Sequence, residues 1–159
     1  VVSTVRDALA ASGLPAERLR LEVTESSMME DPEAAVRTLE ALRALGVTIA
    51  VDDFGTGYSS LSFLRRFPID GLKVDQSFVQ DVVDDENDAA IARAVIAMGR
   101  SLRLDIVAEG VETEAQLDFL RAEGCDKAQG FLFSRPLEFE ALRSWLEARN
   151  GSAAKGPSA

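Results

Sequence analysis

Histidine is absent from the 159 residues, and cysteine occurs once, as Cys125. The first absence removes the commonest general base and the commonest transition-metal ligand. Acid–base chemistry then falls to carboxylates and lysine. A bound metal would be held by oxygen, which favours Mg²⁺, Mn²⁺ or Ca²⁺ over Zn²⁺. A single cysteine excludes an intramolecular disulfide, and Cys125 reads as a small buried hydrophobe. Long apolar runs are missing too. None approaches the ~20 residues of a membrane-crossing helix, and nothing has the form of a signal peptide. The expectation is a cytoplasmic segment, with membrane tethering of a parent protein left open. Positive charge is also scarce: 17 Lys and Arg stand against 27 Asp and Glu, a net charge of −10. That argues against a polymeric nucleic acid as partner, because a phosphate backbone demands a basic face. A small phosphodiester stays compatible, since a metal cluster inverts the local field.

What is present is ordinary globular composition, 47% hydrophobic and 28% charged, in a length that suits one domain with a real core. Val2, Val5 and Leu9 have helical spacing over residues 1–12, and Gly13 and Pro15 follow. Leu19–Thr24 alternates toward strand. Asp31 before Pro32 marks a helix start, and Gly46 a left-handed helix end. Val47–Val51 and Ile69–Val74 read as buried strands, with a short helix near Ser60–Arg66 between them. Gln76–Val83 forms a helical turn. Ile91, Val95, Met98 and Leu102 mark one face of a long helix whose acidic start suits its positive end. Asp105–Ala108 is a strand. Thr113 and Gln116 have the spacing of a capping box for a helix that ends at Gly124. Lys127–Phe131 is the last strand and Leu137–Arg149 the last helix. Residues 150–159, rich in Gly, Ala and Ser, are expected to be disordered.

This order is a helix followed by five β–α units, which implies parallel strands with right-handed crossovers. A doubly wound open sheet and a (β/α)₈ barrel both fit. No strand is followed by G-x-G-x-x-G, which weakens the nucleotide-binding open sheet. A whole barrel takes roughly 200–250 residues. The fold class expected is therefore α/β, an incomplete TIM-like barrel of about five βα units whose opening strands are missing.

Each strand carries something ionisable or amide-bearing at its end. Glu22 and Glu25 belong to the first, Asp52 and Asp53 to the second, and Lys73 and Asp75 to the third. Glu109 and Glu112 end the fourth, and Gln129 lies on the fifth. A core strand does not normally bury an acid, because an unpaired buried charge is very costly. Five such strands point to one shared site at the C-terminal rim, where α/β barrels build their sites. In regular alternation Asp52 and Asp53 would split, one inward and one at the rim. The oxygen-rich set suits two divalent ions, with lysine to orient a water or neutralise phosphate charge and a glutamate to accept a proton.

These residues resemble the EAL domain family. Glu22-Val23-Thr24-Glu25-Ser26 is similar to its E-x-T-E-S segment, and Asp52 through Ser60 resembles its D-D-F-G-T-G loop. Ile69 through Asp75 resembles its lysine strand, Val107 through Thr113 its A-E-G-V-E segment, and Gln129 through Pro136 its closing Q-G-F motif. Five motifs stand in family order over residues 19–137.

The resemblance implies hydrolysis of cyclic di-GMP to linear pGpG with Mg²⁺ or Mn²⁺. It implies Glu22, Asp52 and Asp53 as metal ligands, Lys73 beside a catalytic water or phosphate oxygen, and Glu109 as metal-site acid and general base. Gln129 would sit near a metal-bound water. Glu25 would brace the Asp53–Tyr58 loop, through which homodimers communicate. Asp75, Glu112 and Arg135 would support the site. In the family a Glu-Ala-Leu segment and a downstream metal-binding Asn belong to strands that come before these motifs, and those strands have no counterpart in these 159 residues. Residues 1–149 are thus expected to be a partial EAL domain, poorly folded or inactive alone. Two alternatives are a cyclic-di-GMP sensor that does not hydrolyse and an enolase-type proton abstractor. Every motif acid within the chain is present, which favours catalysis.

Overall fold

The computed structural model describes residues 1–55 and 64–153. Helix α1 (Val2–Ser12) leads through a 3₁₀ turn at Ala16–Arg18 into strand β1 (Arg20–Thr24). Helices α2 (Glu25–Glu30) and α3 (Pro32–Arg43) precede β2 (Thr48–Phe54). Strand β3 (Gly71–Val74) is followed by α4 (Gln76–Gln80) and α5 (Glu86–Ser101). Then come β4 (Asp105–Ala108), α6 (Glu114–Ala122), β5 (Lys127–Ala128) and α7 (Phe139–Ala153).

Local chemistry sets most of these boundaries. Asp31 caps α3 by accepting the Ala34 N–H at 3.0 Å, with Pro32 at the first helical position. The chain leaves α3 through Gly46 at φ 94°, a conformation that favours glycine. Thr113 and Gln116 close the capping box of α6 in both directions.

The five strands are all parallel and lie in sequence order, β1-β2-β3-β4-β5. An unreversed order with right-handed crossovers puts the crossover helices on one side, as in a barrel wall and unlike a doubly wound sheet. On that side Ile49, Val51, Leu72, Val74, Ile106 and Ala108 are fully buried. Leu39 and Leu42 of α3, Val95 and Ile96 of α5, and Leu117 and Leu120 of α6 join them in one core. Each fully buried Leu, Ile or Val stabilises the chain by roughly 1.5–3 kcal/mol. Gly99 lets α5 lie flat on the sheet, because a Cβ there would come within 2.9 Å of Ile106. By the twofold alternation of strands, the other face presents Arg20, Glu22, Asp52, Lys73, Asp105 and Lys127. The sheet is thus oily outside and charged inside.

Four details differ from the sequence expectation or lie beyond it. A short helix, α2, starts directly at the end of β1, with Thr24 accepting the Ser27 N–H as its cap. Strand β5 stops at Ala128, three residues before Phe131, because Gly130 tucks under the backbone of Val111. Helix α7 continues past Arg149 to Ala153, while residues 154–159 lie outside the described residues. The short helix expected near Ser60–Arg66 lies mostly outside them as well. Among the described residues, no helix is long and apolar enough to cross a membrane.

Candidate functional site

Lys73 sits at the centre of the charged face, and its side chain is 7% exposed. Its ammonium donates to Glu22 of β1 at 2.7 Å, Asp52 of β2 at 2.9 Å and Glu109 beyond β4 at 2.7 Å. Four elements that are distant in sequence therefore meet at one nitrogen. Burial alone would lower the Lys73 ammonium. Hydrogen bonds to Glu109, Glu22 and Asp52 outweigh it and hold the pKa well above the ordinary lysine range. Burial raises the Glu109 carboxyl above its usual range; the Lys73 charge opposes this, and Asp52 and Glu22 add to it.

Asp53 joins this group through a kink. Its φ is 53°, and the β2–β3 register breaks between Val51 and Phe54. A regular strand would turn Asp52 and Asp53 to opposite faces. The left-handed residue cancels that alternation, and carboxylate oxygens of Asp52, Asp53 and Glu109 all lie within 4.8 Å of one another. Burial and the neighbouring Asp52 and Asp75 carboxylates raise the Asp53 carboxyl. Gly55, at φ 102°, follows at once, and its N–H donates to Glu25 at 3.2 Å. The Glu25 side chain is thus tied to the start of the Asp53–Tyr58 loop, whose residues from Thr56 onward lie outside the described residues.

A cavity of about 270 Å³ opens beside the cluster, lined by Asp53, Asp75, Glu109, Glu112 and Gln129, among others. Asp75 also caps α4 by accepting the Ser77 N–H. The Glu112 N–H donates to Gln116 at 2.8 Å, which fixes the loop after β4. Arg135 stands apart. It stacks on the Phe131 ring, 4.7 Å from the centroid, and lines a neighbouring depression with Trp145 and Leu142. Sequence reasoning passed over Gln76, Gly110, Gly130 and Phe131 as cavity walls. Gly110 carries a usable signal: it has φ 68°, and a Cβ there would clash with Gln76.

The donor set fits divalent metal. It consists of carboxylates without nitrogen or sulfur: Glu22, Asp52 and Glu109 meet at one lysine, and Asp53 stands within reach of Asp52 and Glu109. Hard cations with oxygen ligands match that surplus of negative charge.

A parallel sheet with helices on one face, and an oxygen-donor site at its C-terminal ends, defines a slice of a (β/α) barrel whose site has donors suited to a divalent cation. The chain belongs to the EAL domain family, which matches residues 1–136. Cyclic di-GMP phosphodiesterase NbdA from Pseudomonas aeruginosa is 52% identical over 154 residues, 97% of this chain and 20% of the relative. The solved MucR phosphodiesterase in complex with c-di-GMP, from the same species, is 52% identical with a TM-score of 0.86. The match covers 89% of this chain and 57% of that one, so the five strands are part of an EAL barrel. Klebsiella pneumoniae BlrP1, solved with manganese and c-di-GMP, is 41% identical with a TM-score of 0.79, over 85% of this chain and 34% of that one. The chain spans about a fifth of the length of the curated relatives it matches.

Proposed function

We propose that this chain contributes most of the active site of an EAL domain that hydrolyses cyclic di-GMP to linear pGpG with Mg²⁺ or Mn²⁺. The observation that carries the reading is the meeting of Glu22, Asp52 and Glu109 at Lys73, with Asp53 kinked into reach of the same carboxylates. Glu22, Asp52, Asp53 and Glu109 would hold the ions. Bound divalent ions supply Lewis-acid polarisation of the phosphoryl group and an acidified water. The ammonium of Lys73 neutralises charge that builds on the phosphoryl oxygens and holds the attacking water by a hydrogen bond. Glu109, with its raised pKa, accepts the proton of that water and can return it to the leaving ribose oxygen. In balance, one phosphoryl–ribose bond breaks and one phosphoryl–water bond forms, which opens the ring.

The names of NbdA and MucR as phosphodiesterases, and the dinucleotide bound in the MucR and BlrP1 structures, support this substrate. The proposal includes homodimer formation through the Asp53–Tyr58 region and a cytoplasmic location. It also includes inactivity of the 159 residues alone, since the strand that carries the family's Glu-Ala-Leu segment has no counterpart among them; Glu40-Ala41-Leu42 and Glu140-Ala141-Leu142 lie on helices.

The test is a chimaera in which the MucR segment preceding the matched region is joined to Val1. With Mn²⁺ it should release pGpG, and Glu109→Gln should abolish release while leaving dinucleotide binding intact. Binding without any product in the unmutated chimaera would instead support a sensor. Light scattering of the same protein reads the dimer, and Thr56 and Tyr58 substitutions should shift it to monomer.

A further inference from the structure

A second ionic layer lies on the inner face, below the Lys73 cluster. Asp105 Oδ2 accepts from Arg20 Nη2 at 2.6 Å and from Lys127 Nζ at 2.8 Å. These three side chains come from β1, β4 and β5, and none belongs to the motifs from which the site was read. Each sits below a site residue on its own strand. Arg20 is two residues before Glu22, Asp105 four before Glu109, and Lys127 two before Gln129.

The span is long for one contact. Strands β1 and β4 are three spacings of about 4.8 Å apart, roughly 14 Å in a flat sheet. Side chains stand near-perpendicular to a sheet, so Arg20 meets Asp105 only because this sheet curls. The strands between are cleared for it. Gly71 on β3 is paired with Asp105 and carries no side chain, and its partner on β2 is the small Ala50, while Arg20 itself is paired with Thr48 two residues lower on β2. A Cβ at Gly71 would come within 3.0 Å of the Asp105 carbonyl oxygen and 3.6 Å of Arg20 Nη1. The two ion pairs hold the Asp105 carboxyl below its usual range, the hydrogen bond to Lys127 contributing most.

We infer that Asp105 is a positioning residue: with Arg20 and Lys127 it straps β1 and β5 to β4 and sets the curl that brings Glu22 to Glu109. The inference rests on the reading of the upper cluster as a metal site, and its mechanical half stands without metal. If the strap is cut, β1 swings away from β4, and Glu22 leaves the group that Lys73 and the ions require.

Two readouts on the full 159-residue chain test this. In a Cys125→Ser background, spin labels at Ser27→Cys on α2 and Glu114→Cys on α6 report the separation of the elements that follow β1 and β4. Asp105→Asn should lengthen and broaden that distance distribution without metal, and should weaken Mn²⁺ binding about tenfold, the scale on which supporting residues act. Arg93→Gln, which breaks the outer Arg93–Glu123 pair, should change neither readout. A wild-type distance distribution in Asp105→Asn overturns the inference. So does a lowered Tm accompanied by wild-type Mn²⁺ affinity, which would mark a purely stabilising role. If wild type binds no Mn²⁺, the metal reading falls and the distance arm alone decides the strap. If Asp105→Asn fails to fold, Arg20→Gln, which cuts the β1–β4 contact and spares the Lys127–Asp105 pair, should shift both readouts in the same direction; no shift overturns the inference.

Discussion

Lys73 is the residue on which the others depend. Its ammonium stands nearly buried among three carboxylates, so Lys73→Met leaves like charges facing one another across the sheet. Breaking a fully buried pair costs about 3–5 kcal/mol. Glu22 is 45% exposed, so about 2 kcal/mol is expected here. Urea denaturation without metal reads that loss. Added Mn²⁺ should recover part of it, because a divalent cation takes over the charge of the ammonium; a variant that lost Mn²⁺ binding outright would contradict this. Asp105 gives the pH prediction. Its folded pKa is depressed below the unfolded value of about 3.9. Its contribution is therefore present above that value and lost as pH falls through the folded pKa. Asp105→Asn should be less stable than wild type at pH 7, and the gap should narrow as the pH falls below about 4. A gap that did not change at all as the pH fell from 7 through the acid range would mean the ion pairs are not its source.

At this scale the acids were legible and their arrangement was only partly so. Strands that end in carboxylates contradict core chemistry, and that contradiction is visible in sequence. The convergence of Asp52 with Asp53 was not, because it depends on a left-handed aspartate that alternation does not anticipate. The signal available was Gly55 close behind, together with the tolerance of Asp for that conformation.

Elements were most readable where a side chain caps the backbone. Asp31 with Pro32, and Thr113 with Gln116, announce α3 and α6, and the structure starts both helices there. They were least readable where tertiary contact decides. The strand expected from sequence runs through Gln129 and Gly130 to Phe131, yet it ends at Ala128 and the chain turns through Gly130. A Cβ at Gly130 would collide with the backbone of Val111, and backbone cannot swing aside as a side chain can. Gly130→Ala should therefore cost about 2–3 kcal/mol in thermal or urea unfolding, the upper range for overpacking. It should also disturb the wall that carries Gln129 and Phe131. A variant of wild-type stability would show that the turn has more room than the structure gives it.

At the scale of the molecule, one face of a curled parallel sheet carries the core and the other the chemistry. The core face binds Ile49, Val51, Leu72 and Ile106 to three helices, and the charged face gathers acids from β1, β2 and β4 about a lysine on β3. The β–α alternation and the missing phosphate fingerprint already favoured a barrel segment over an open sheet. The unreversed strand order supplied the physical reason. The match to 57% of the MucR chain agrees with a partial barrel.

The central claim is that these acids form a site for divalent cations. Mn²⁺ binding to the 159-residue chain, followed by electron paramagnetic resonance, measures it directly. Saturable binding that is lost in Asp52→Asn/Asp53→Asn, with circular dichroism unchanged, is the expected result. Equal binding in the double variant, or none in wild type, would contradict the account.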